Sequence, residues 1–322
     1  DQVLPLLIET KHKINAPAIS AAVAIDGKLV WAGASGWSDI KNEKAVTLDS
    51  QFRIGSTSKA LTSTVLARMV DQGSINIDKP INTYFPDLPN GNWQDMTSRQ
   101  LASHTAGVPH YKENTDNFGL YQTMALQTRY NNVLDALDVF DASELLFEPG
   151  EEYSYSSLGT VLLSAVMQKA GNKPFLQLVN ENVIKPLNLT STNAGFLLSG
   201  SEHLVNFYWN NKGAQNSVTQ WRDVDLSHRL AGGGFVSTPS DLVKIGSAFL
   251  QQEFISAQTQ KQFWTPEPLK DGTLPPHNYS VGWRVIKHDV SEEFKNVTIV
   301  NHGGVSRGSQ SWLMILPEYQ MS

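Results

Sequence analysis

Apolar residues follow strand-like spacing near both ends of the chain. Two apolar runs, residues 18–25 and 28–34, flank Asp26-Gly27, which predicts a β-hairpin because both central turn positions favour positive φ. Three further strands are predicted late in the chain, at 279–286, 297–301 and 311–316. Both ends of the chain therefore predict a sheet.

The middle of the chain has apolar residues three and four apart, which predicts helices. The segments 59–71 and 158–170 show this spacing, and each is followed by a glycine that can end a helix. An amphipathic helix is also predicted at 3–14. Another is predicted to start after Thr238, which can cap a helix whose first residue is Pro239.

This order of elements predicts an α+β fold in one unit that covers residues 1–322. The sheet lobe would come from about 1–55 and 225–322, and a helical lobe from about 56–224. The last predicted strand is followed by no closing element before Ser322. We therefore expect a further C-terminal strand and helix to complete the fold.

Composition excludes several classes of function. The chain of 322 residues has 25 Lys and Arg against 31 Asp and Glu, so its net charge of −6 argues against a general nucleic-acid binder. Its apolar stretches are shorter than the ~20 residues of a membrane helix, so no membrane span is predicted. The absence of cysteine excludes thiol catalysis and disulfides, and the scattered histidines predict no metal site.

Three motifs could supply a serine nucleophile. The G-x-S-x-G pattern at 304–308 is followed by a strand-like run and by no later histidine, so it is interpreted as a glycine-rich turn. The S-x-x-K spacing occurs at Ser38 and again at Ser56, where it opens an amphipathic helix. There the Lys59 amine shares a helix face with the Ser56 hydroxyl and can take its proton if burial or nearby charge lowers the lysine pKa. An ordinary serine cap beside a surface lysine is the alternative.

Two further motifs stand in separate elements. A Tyr-Ser-Ser motif at 155–157 precedes the second long helix, and a His-Gly-Gly motif at 302–304 follows a predicted strand. With the Ser-Thr-Ser-Lys motif at 56–59, this ordered set resembles the serine β-lactamase and penicillin-binding-protein superfamily, in its class C-like branch. That branch includes class C β-lactamases, D-alanyl-D-alanine carboxypeptidases, family VIII esterases and the mitochondrial lactamase-like protein. Weaker similarities extend over nearly the whole chain, at 101–107, 186–189, 231–238 and 281–283.

The resemblance implies a β-lactamase/transpeptidase-like fold, an antiparallel sheet flanked by helices, with the active site between the sheet and a helical lobe. It implies that Ser56 is acylated, that Lys59 helps to take its proton, and that Tyr155 shuttles protons to the leaving group and from water. This role of Tyr155 calls for a pKa lowered by neighbouring cations such as Lys59. The backbone N–H groups of Ser56 and Val305 would form the oxyanion hole.

The chain departs from the family pattern in two motifs. Ser157 stands where the second motif usually has asparagine, and His302 stands where the third motif often has lysine. Serine offers fewer donors than an amide, and a neutral histidine binds a carboxylate less firmly than lysine does. Both departures favour an esterase, a peptidase or a slow hydrolase over an efficient β-lactamase.

The resemblance also suggests which residues contact the substrate. The candidates are Ser157, His302, Gly303, Gly304 and, overhanging the cleft, Tyr111. His302 would line the cleft, bind a substrate carboxylate or bridge to Tyr155. His104 is interpreted as a buried loop histidine that bonds to the backbone.

The expected function is that of a serine hydrolase that forms an acyl-enzyme on an ester, peptide or β-lactam bond. The alternative is a non-catalytic relative, such as a penicillin sensor or an assembly subunit. The expected substrate is a small molecule or a peptide, with no cofactor and no metal, and the oligomeric state is left open. The resemblance alone suggests a periplasmic or secreted location.

Overall fold

Helices fill the middle of the chain. A computed structural model describes residues 2–113, 128–198, 200–210 and 217–322. The α-helices of this part are α1 (Val3–Lys13), α2 (Ser58–Asp71), α3 (Ser98–Ser103), α4 (Ser157–Gly171), α5 (Phe175–Val179), α6 (Pro239–Ala248) and α7 (Ala257–Trp264). Single 3₁₀ turns lie at Gly55–Thr57, Ile81–Thr83, Gly91–Trp93, Asp135–Val139, Gly195–Leu198, Ser227–Arg229, Pro276–Asn278 and Pro317–Tyr319, and π turns at Asn180–Ile184 and Leu230–Gly234.

The longer strands come from the two ends of the chain. The strands are β1 (Ala18–Ile25), β2 (Lys28–Asp39), β3 (Lys44–Ala45), β4 (Phe52–Arg53), β5 (Asn193–Ala194), β6 (Tyr208–Asn210), β7 (Val218–Gln220), β8 (Phe235–Ser237), β9 (Arg284–His288), β10 (Val297–Ser306) and β11 (Ser309–Ile315). They pair antiparallel in the orders β1-β2-β3, β11-β10-β9, β4-β8-β5 and β6-β7.

The predicted N-terminal hairpin is confirmed. Asp26 and Gly27 have φ values of 50° and 71°, and Ile25 pairs directly with Lys28 across them. Positive φ at both central positions gives the turn a twist that matches the flanking strands. The second strand continues to Asp39, well beyond the predicted apolar run.

The strand predicted at 279–286 begins only at Arg284, so this prediction is partly wrong. Gly282 has a φ of 79°, and the N–H of Ser280 donates to the carbonyl of Trp283 at 2.7 Å. The chain therefore turns sharply between Tyr279 and β9. Apolar spacing does not reveal such a turn, because Tyr279 and Trp283 are both buried on either side of it.

Strand β10 runs through the third motif instead of ending before it. The prediction placed His302 after a strand that ends at Asn301, yet pairing with β11 continues to Ser306. Ser306 pairs with Ser309 across a two-residue turn. The G-x-S-x-G run is thus the end of a strand, which was not predicted, followed by the predicted turn at 307–308.

Helix ends follow the predicted signals closely. Gly73 lies just beyond α2 with a φ of 70°. Helix α4 ends one position later than predicted, since Asn172 and not Gly171 takes the left-handed conformation. Thr238 caps α6 by accepting a hydrogen bond from the N–H of Asp241 at 3.3 Å.

Helices α2 and α4 pass through the core. Leu61, Val65 and Leu66 of α2 and Leu162 and Val166 of α4 are fully buried in one continuous cluster. Helix α2 is buried on nearly all sides. The start of α2, which carries the S-x-x-K motif, is therefore fixed by packing in the core.

Strands β1 and β11 each end a sheet, and a cavity of 1210 Å³ lies between them. Its lining includes residues 18–22 of β1 and 310–314 of β11. Ser56, Lys59 and Tyr155 do not line it. This cavity therefore lies beside the place where the catalytic motifs meet, and Val305 lines it.

The short sheet β4-β8-β5 joins strands from both predicted lobes. The lobe boundaries near residues 55 and 225 remain a prediction, as does the further C-terminal strand and helix. Within the ranges the structure describes, no helix is long and apolar enough to cross a membrane.

Gly304 lets β10 pack directly on the turn that carries Ser56. A Cβ on Gly304 would overlap the carbonyl oxygen of Ile54 and lie 2.7 Å from the backbone nitrogen of Thr57. We expect Gly304→Ala to lower the free energy of unfolding by about 1–3 kcal/mol, as overpacking does, and urea denaturation measures this. Gly91→Ala is the control, because a Cβ there has no neighbour within 4 Å. Equal stability of the two variants would contradict this packing.

Candidate active site

Ser56 lies at the junction between β4 and α2. It stands in the 3₁₀ turn Gly55–Thr57, whose backbone continues directly into the helix. The next two residues, Thr57 and Ser58, are fully buried, whereas Ser56 is half-buried. The Ser56 hydroxyl is therefore the one in this motif that a substrate can approach.

Gly55 brings the backbone of Ser56 close to that of Val305. Gly55 has a φ of 49°, and a Cβ on it would lie 2.6 Å from the carbonyl carbon of Val305 and 2.8 Å from its nitrogen. A side chain is therefore excluded at Gly55 both by space and by conformation. Val305 itself is 69% exposed. The two backbone N–H groups predicted for an oxyanion hole thus occupy neighbouring positions.

The Lys59 amine is buried, with 3% of the residue exposed. Its Nζ donates hydrogen bonds to the Oγ of Ser157 and to the carbonyl oxygen of Gly232, each at 2.8 Å. Burial holds the pKa of Lys59 well below its usual value, and the nearby charge of Arg229 lowers it further. A neutral amine has two hydrogens and one lone pair, so these two bonds leave the lone pair free to accept a proton.

Tyr155 connects the serine to the lysine. Its hydroxyl hydrogen-bonds to that of Ser56, and its ring centroid lies 4.7 Å from the Nζ of Lys59. The lowered pKa expected for Tyr155 is wrong for this resting site. Burial raises the pKa of Tyr155 above its ordinary value, because a phenolate would lose its hydration there.

Two loop histidines fix the second motif through its backbone. The N–H of Ser156 donates to the Nδ1 of His104 at 3.3 Å, and the N–H of Ser157 donates to the Nδ1 of His110 at 3.2 Å. The backbone role predicted for His104 is confirmed. His110 is not among the site residues predicted from the sequence.

His302 is fully buried and does not line an open cleft. Its Nδ1 donates to the carbonyl oxygen of Gly303 at 2.8 Å, so its Nε2 accepts from the hydroxyl of Tyr279 at 2.7 Å. The expected bridge to Tyr155 is therefore wrong, and Tyr279 is the partner that sequence reasoning missed. Burial and the proximity of Lys59 lower the pKa of His302 to about 3, so it carries no charge to attract a carboxylate at neutral pH.

Hydroxyl groups join β10 and β11 to the turn that carries Ser56. The Oγ1 of Thr57 lies 2.8 Å from the Oγ of Ser311 and 3.3 Å from the carbonyl oxygen of His302. The Oγ of Ser311 donates to the carbonyl of Ile54 at 2.7 Å. Gly303 and Gly304 thus lie on a strand whose position relative to Ser56 is fixed.

Tyr111 does not overhang a cleft, and this expectation is wrong. It is 5% exposed, and its hydroxyl has no hydrogen-bond partner. The ring contacts His110 with a centroid distance of 4.2 Å and stands 5.5 Å from the guanidinium carbon of Arg229. The sequence around Tyr111 gives no indication that its ring packs inward.

Two arginines act on this site, and sequence reasoning missed both. Arg229 and Arg284 each lower the pKa of Lys59, after the larger effect of burial. Arg284 opens β9, and Arg229 lies immediately before the π turn Leu230–Gly234. Neither residue belongs to one of the three motifs. The only sequence signal was that Arg229 precedes the family-like segment 231–238 and that Arg284 follows the family-like segment 281–283.

Three histidines near Lys59 are neutral at neutral pH. Burial is the main cause of the lowered pKa of His104, His110 and His302, and the positive charge that Lys59 carries when it is protonated lowers each pKa further. In the ranges that the structure describes, no group of three or more His, Asp or Glu residues is placed to hold a metal ion.

Comparison of the sequence with known proteins establishes the family. The Beta-lactamase family profile matches residues 6–322, so the chain belongs to that family. The serine beta-lactamase-like protein LACTB, mitochondrial, of Homo sapiens is 26% identical over 97% of this chain and 71% of its own length. Penicillin-binding protein 4* of Bacillus subtilis (strain 168) is 23% identical over 87% of this chain and 62% of its own length.

Solved structures share the fold. The octameric penicillin-binding protein homologue from Pyrococcus abyssi has a TM-score of 0.78 at 17% identity, over 98% of this chain and 70% of that chain. The D-amino acid amidase from Ochrobactrum anthropi SV3 has a TM-score of 0.78 at 22% identity, over 99% of this chain and 88% of that chain. The predicted α+β, β-lactamase/transpeptidase-like fold and its superfamily are confirmed.

Buried neutral histidines make stability depend on pH. His110, His228 and His302 have pKa values of about 3 in the folded protein, against an ordinary value of 6.5. Unfolding therefore takes up protons between these values, and the free energy of unfolding falls as the pH drops through 6.5 toward 3. At pH 5 each such histidine lowers it by up to about 2 kcal/mol.

We expect His228→Gln to lose less stability than the wild type between pH 7 and pH 5, measured by urea unfolding at both values. His228 is buried and its Nδ1 has no hydrogen-bond partner, so glutamine removes the titration without breaking a bond at that atom. His12→Gln, on the exposed surface of α1, is the control and should keep the wild-type loss. The same loss in His228→Gln as in the wild type would contradict this account.

Proposed function

We propose that this protein is a serine acyl hydrolase in which Ser56 is the nucleophile, Lys59 the base and Tyr155 the proton donor to the leaving group. The observation that supports this most strongly is the buried Lys59 amine, held by Ser157 and Gly232 beside a hydrogen-bonded Ser56–Tyr155 pair. A serine hydroxyl is a weak nucleophile unless a neighbouring base takes its proton. A neutral lysine meets that need.

Acylation follows from these proton positions. The Oγ–H bond of Ser56 breaks, its proton passes to the lone pair of Lys59, and Oγ bonds to the substrate carbonyl carbon. The N–H groups of Ser56 and Val305 hold the negative charge that develops on the carbonyl oxygen. The Tyr155 hydroxyl protonates the leaving group as its bond to the carbonyl carbon breaks, and Lys59 returns a proton to Tyr155.

Deacylation uses the same groups in reverse. Tyr155 relays a proton from water to Lys59 while the water oxygen bonds to the acyl carbon. The ester bond to Ser56 then breaks, and Lys59 returns the proton to the serine oxygen. Tyr155 begins each half-reaction protonated, in agreement with its raised pKa.

The proposed substrates are amides, peptides or esters, with β-lactams as poor substrates. Ser157 is occupied by its bond to Lys59, and His302 is neutral and bonded to Tyr279, so neither offers the amide or cationic group that typical relatives present. The amide substrate named for the structural neighbour D-amino acid amidase supports including amides. Esterase and carboxypeptidase activity remain alternatives within the class.

Location and assembly are also part of the proposal. A periplasmic or secreted location remains a prediction, and the mammalian relatives are named as mitochondrial proteins. The oligomeric state of this chain stays open, although one structural neighbour is octameric.

The proposal predicts that Ser56→Ala abolishes covalent labelling by a fluorophosphonate and hydrolysis of p-nitrophenyl butyrate. Intact-protein mass spectrometry and absorbance assays measure the two effects. Ser38→Ala is the matched control, since it belongs to the other S-x-x-K spacing, lies away from Lys59 and should leave both reactions intact. Labelling of Ser56→Ala at the wild-type rate would remove Ser56 from the mechanism. A lasting penicillin adduct without ester turnover would favour the penicillin-sensor alternative.

A further inference from the structure

Within the part of the chain that the structure describes, two arginines are buried beside the candidate site and form no ion pair. Arg53 is 7% exposed and Arg229 is 6% exposed. The Nη1 of Arg53 and the Nε of Arg229 are buried and have no hydrogen-bond partner. None of the ion pairs among the described residues includes either side chain. Buried charges are usually paired, so this pair is an exception that calls for an explanation.

Arg229 lies beside the turn that carries Ser56. Its Nε is 3.7 Å from the position that a Cβ on Gly233 would occupy, and the carbonyl carbon of Gly55 is 3.8 Å from that same position. Its guanidinium carbon stands 5.5 Å from the ring centroid of Tyr111. The side chain is therefore fixed close to the backbone of the nucleophile.

Arg53 approaches from strand β4. Its guanidinium carbon stacks 4.0 Å from the ring centroid of Phe207. A Cβ on Gly308, in the turn after β10, would lie 2.7 Å from the Cβ of Phe207. Arg53 therefore lies toward the Val305 end of β10, whereas His302 stands nearer its start.

The positive charge of Arg229 acts on Arg53 and makes the protonated form of Arg53 less favourable. Burial lowers the pKa of Arg53 to about 10, Asp223 opposes this effect, and the charge of Arg229 adds to it. Asp223 is exposed and does not reach ion-pair distance from Arg53. Arg53 therefore remains cationic at neutral pH with little of its charge offset.

The direction of the substrate follows from Tyr155. Tyr155 lies next to Tyr279, with a centroid distance of 6.3 Å, and Tyr279 bonds to His302. Since Tyr155 protonates the leaving group in the proposed reaction, the leaving group lies toward His302. The acyl chain then extends the other way, past Val305 and toward Arg53.

We propose that Arg229 and Arg53 bind a carboxylate on the acyl portion of the substrate. This inference rests on the proposed function, because it assigns a substrate class to the same site. A guanidinium presents its N–H donors as a planar fork that fits a carboxylate. A carboxylate between the two groups would replace the hydration that they lose on burial and would offset their repulsion.

The test compares two esters that differ only in charge. They are the mono-p-nitrophenyl ester of adipic acid and the p-nitrophenyl ester of adipic acid monoamide, with Ser56→Ala as the background. For the wild type we expect kcat/KM about tenfold or more higher for the acid, since a hydrogen bond to a charged group has that effect. We expect the ratio of kcat/KM for the acid to kcat/KM for the amide to fall to about one in Arg229→Gln, and also to fall in Arg53→Gln.

Arg284→Gln is the matched control, because Arg284 also acts on Lys59 but lies beside Tyr279 at the leaving-group end. It should keep the wild-type ratio. The ratio compares two substrates on one preparation, so partial unfolding of a variant does not change it.

Equal kcat/KM for the two esters in a wild type that turns both over would overturn this proposal and leave the proposed function standing. A wild-type ratio that survives in Arg229→Gln and Arg53→Gln would overturn it too. If the wild type hydrolyses neither ester and Ser56 is not labelled by a fluorophosphonate, the proposed function itself fails.

Discussion

The site depends on a lysine amine that is removed from water. Lys59 emerges from the buried first turn of α2, and the charges of Arg229 and Arg284 make an ammonium there still less favourable. The neutral amine keeps two hydrogens, and Ser157 and the carbonyl of Gly232 accept both. Its lone pair can accept the proton of the Ser56 hydroxyl and so activate that hydroxyl as a nucleophile, because a charged lysine could not accept a proton.

The remaining parts of the site are arranged around this amine. Helix α2 is fixed in the core, and Gly55 and Gly304 let the backbone of β10 come against the start of that helix without a side chain between them. Two neutral histidines hold the backbone of the Tyr-Ser-Ser motif. Tyr155 is consequently held in a half-buried position, where the loss of hydration keeps it protonated and able to serve as a donor.

Much of this arrangement could be predicted from local sequence. The Asp26-Gly27 turn, the Thr238 cap and the helical S-x-x-K motif each follow from the conformational preferences of a few neighbouring residues. The order of the three motifs identified the family, because a shared order of separate elements is much more specific than one short motif.

The rest depends on contacts between segments distant in the chain. Nothing local shows that His302 bonds to Tyr279, that Tyr111 packs inward, or that Arg229 is buried without an ion pair to any described residue. The direction of the pKa shift of Tyr155 also depends on contacts between distant segments. A tyrosine near a lysine was expected to become more acidic, but burial disfavours the charged form of both groups, so the pKa of Tyr155 rises and that of Lys59 falls.

The pH dependence of Ser56 labelling by a neutral fluorophosphonate tests the neutral lysine most directly. Lys59 acts in its deprotonated form and its pKa is held well below 10.5, so as the pH is lowered from 10 toward 7 the labelling rate should begin to fall at a much lower pH than it would for an ordinary lysine. This range lies above the pH at which the buried histidines begin to lower stability. A rate that falls about tenfold for each pH unit below 10 would show a lysine of ordinary pKa, and would contradict the account.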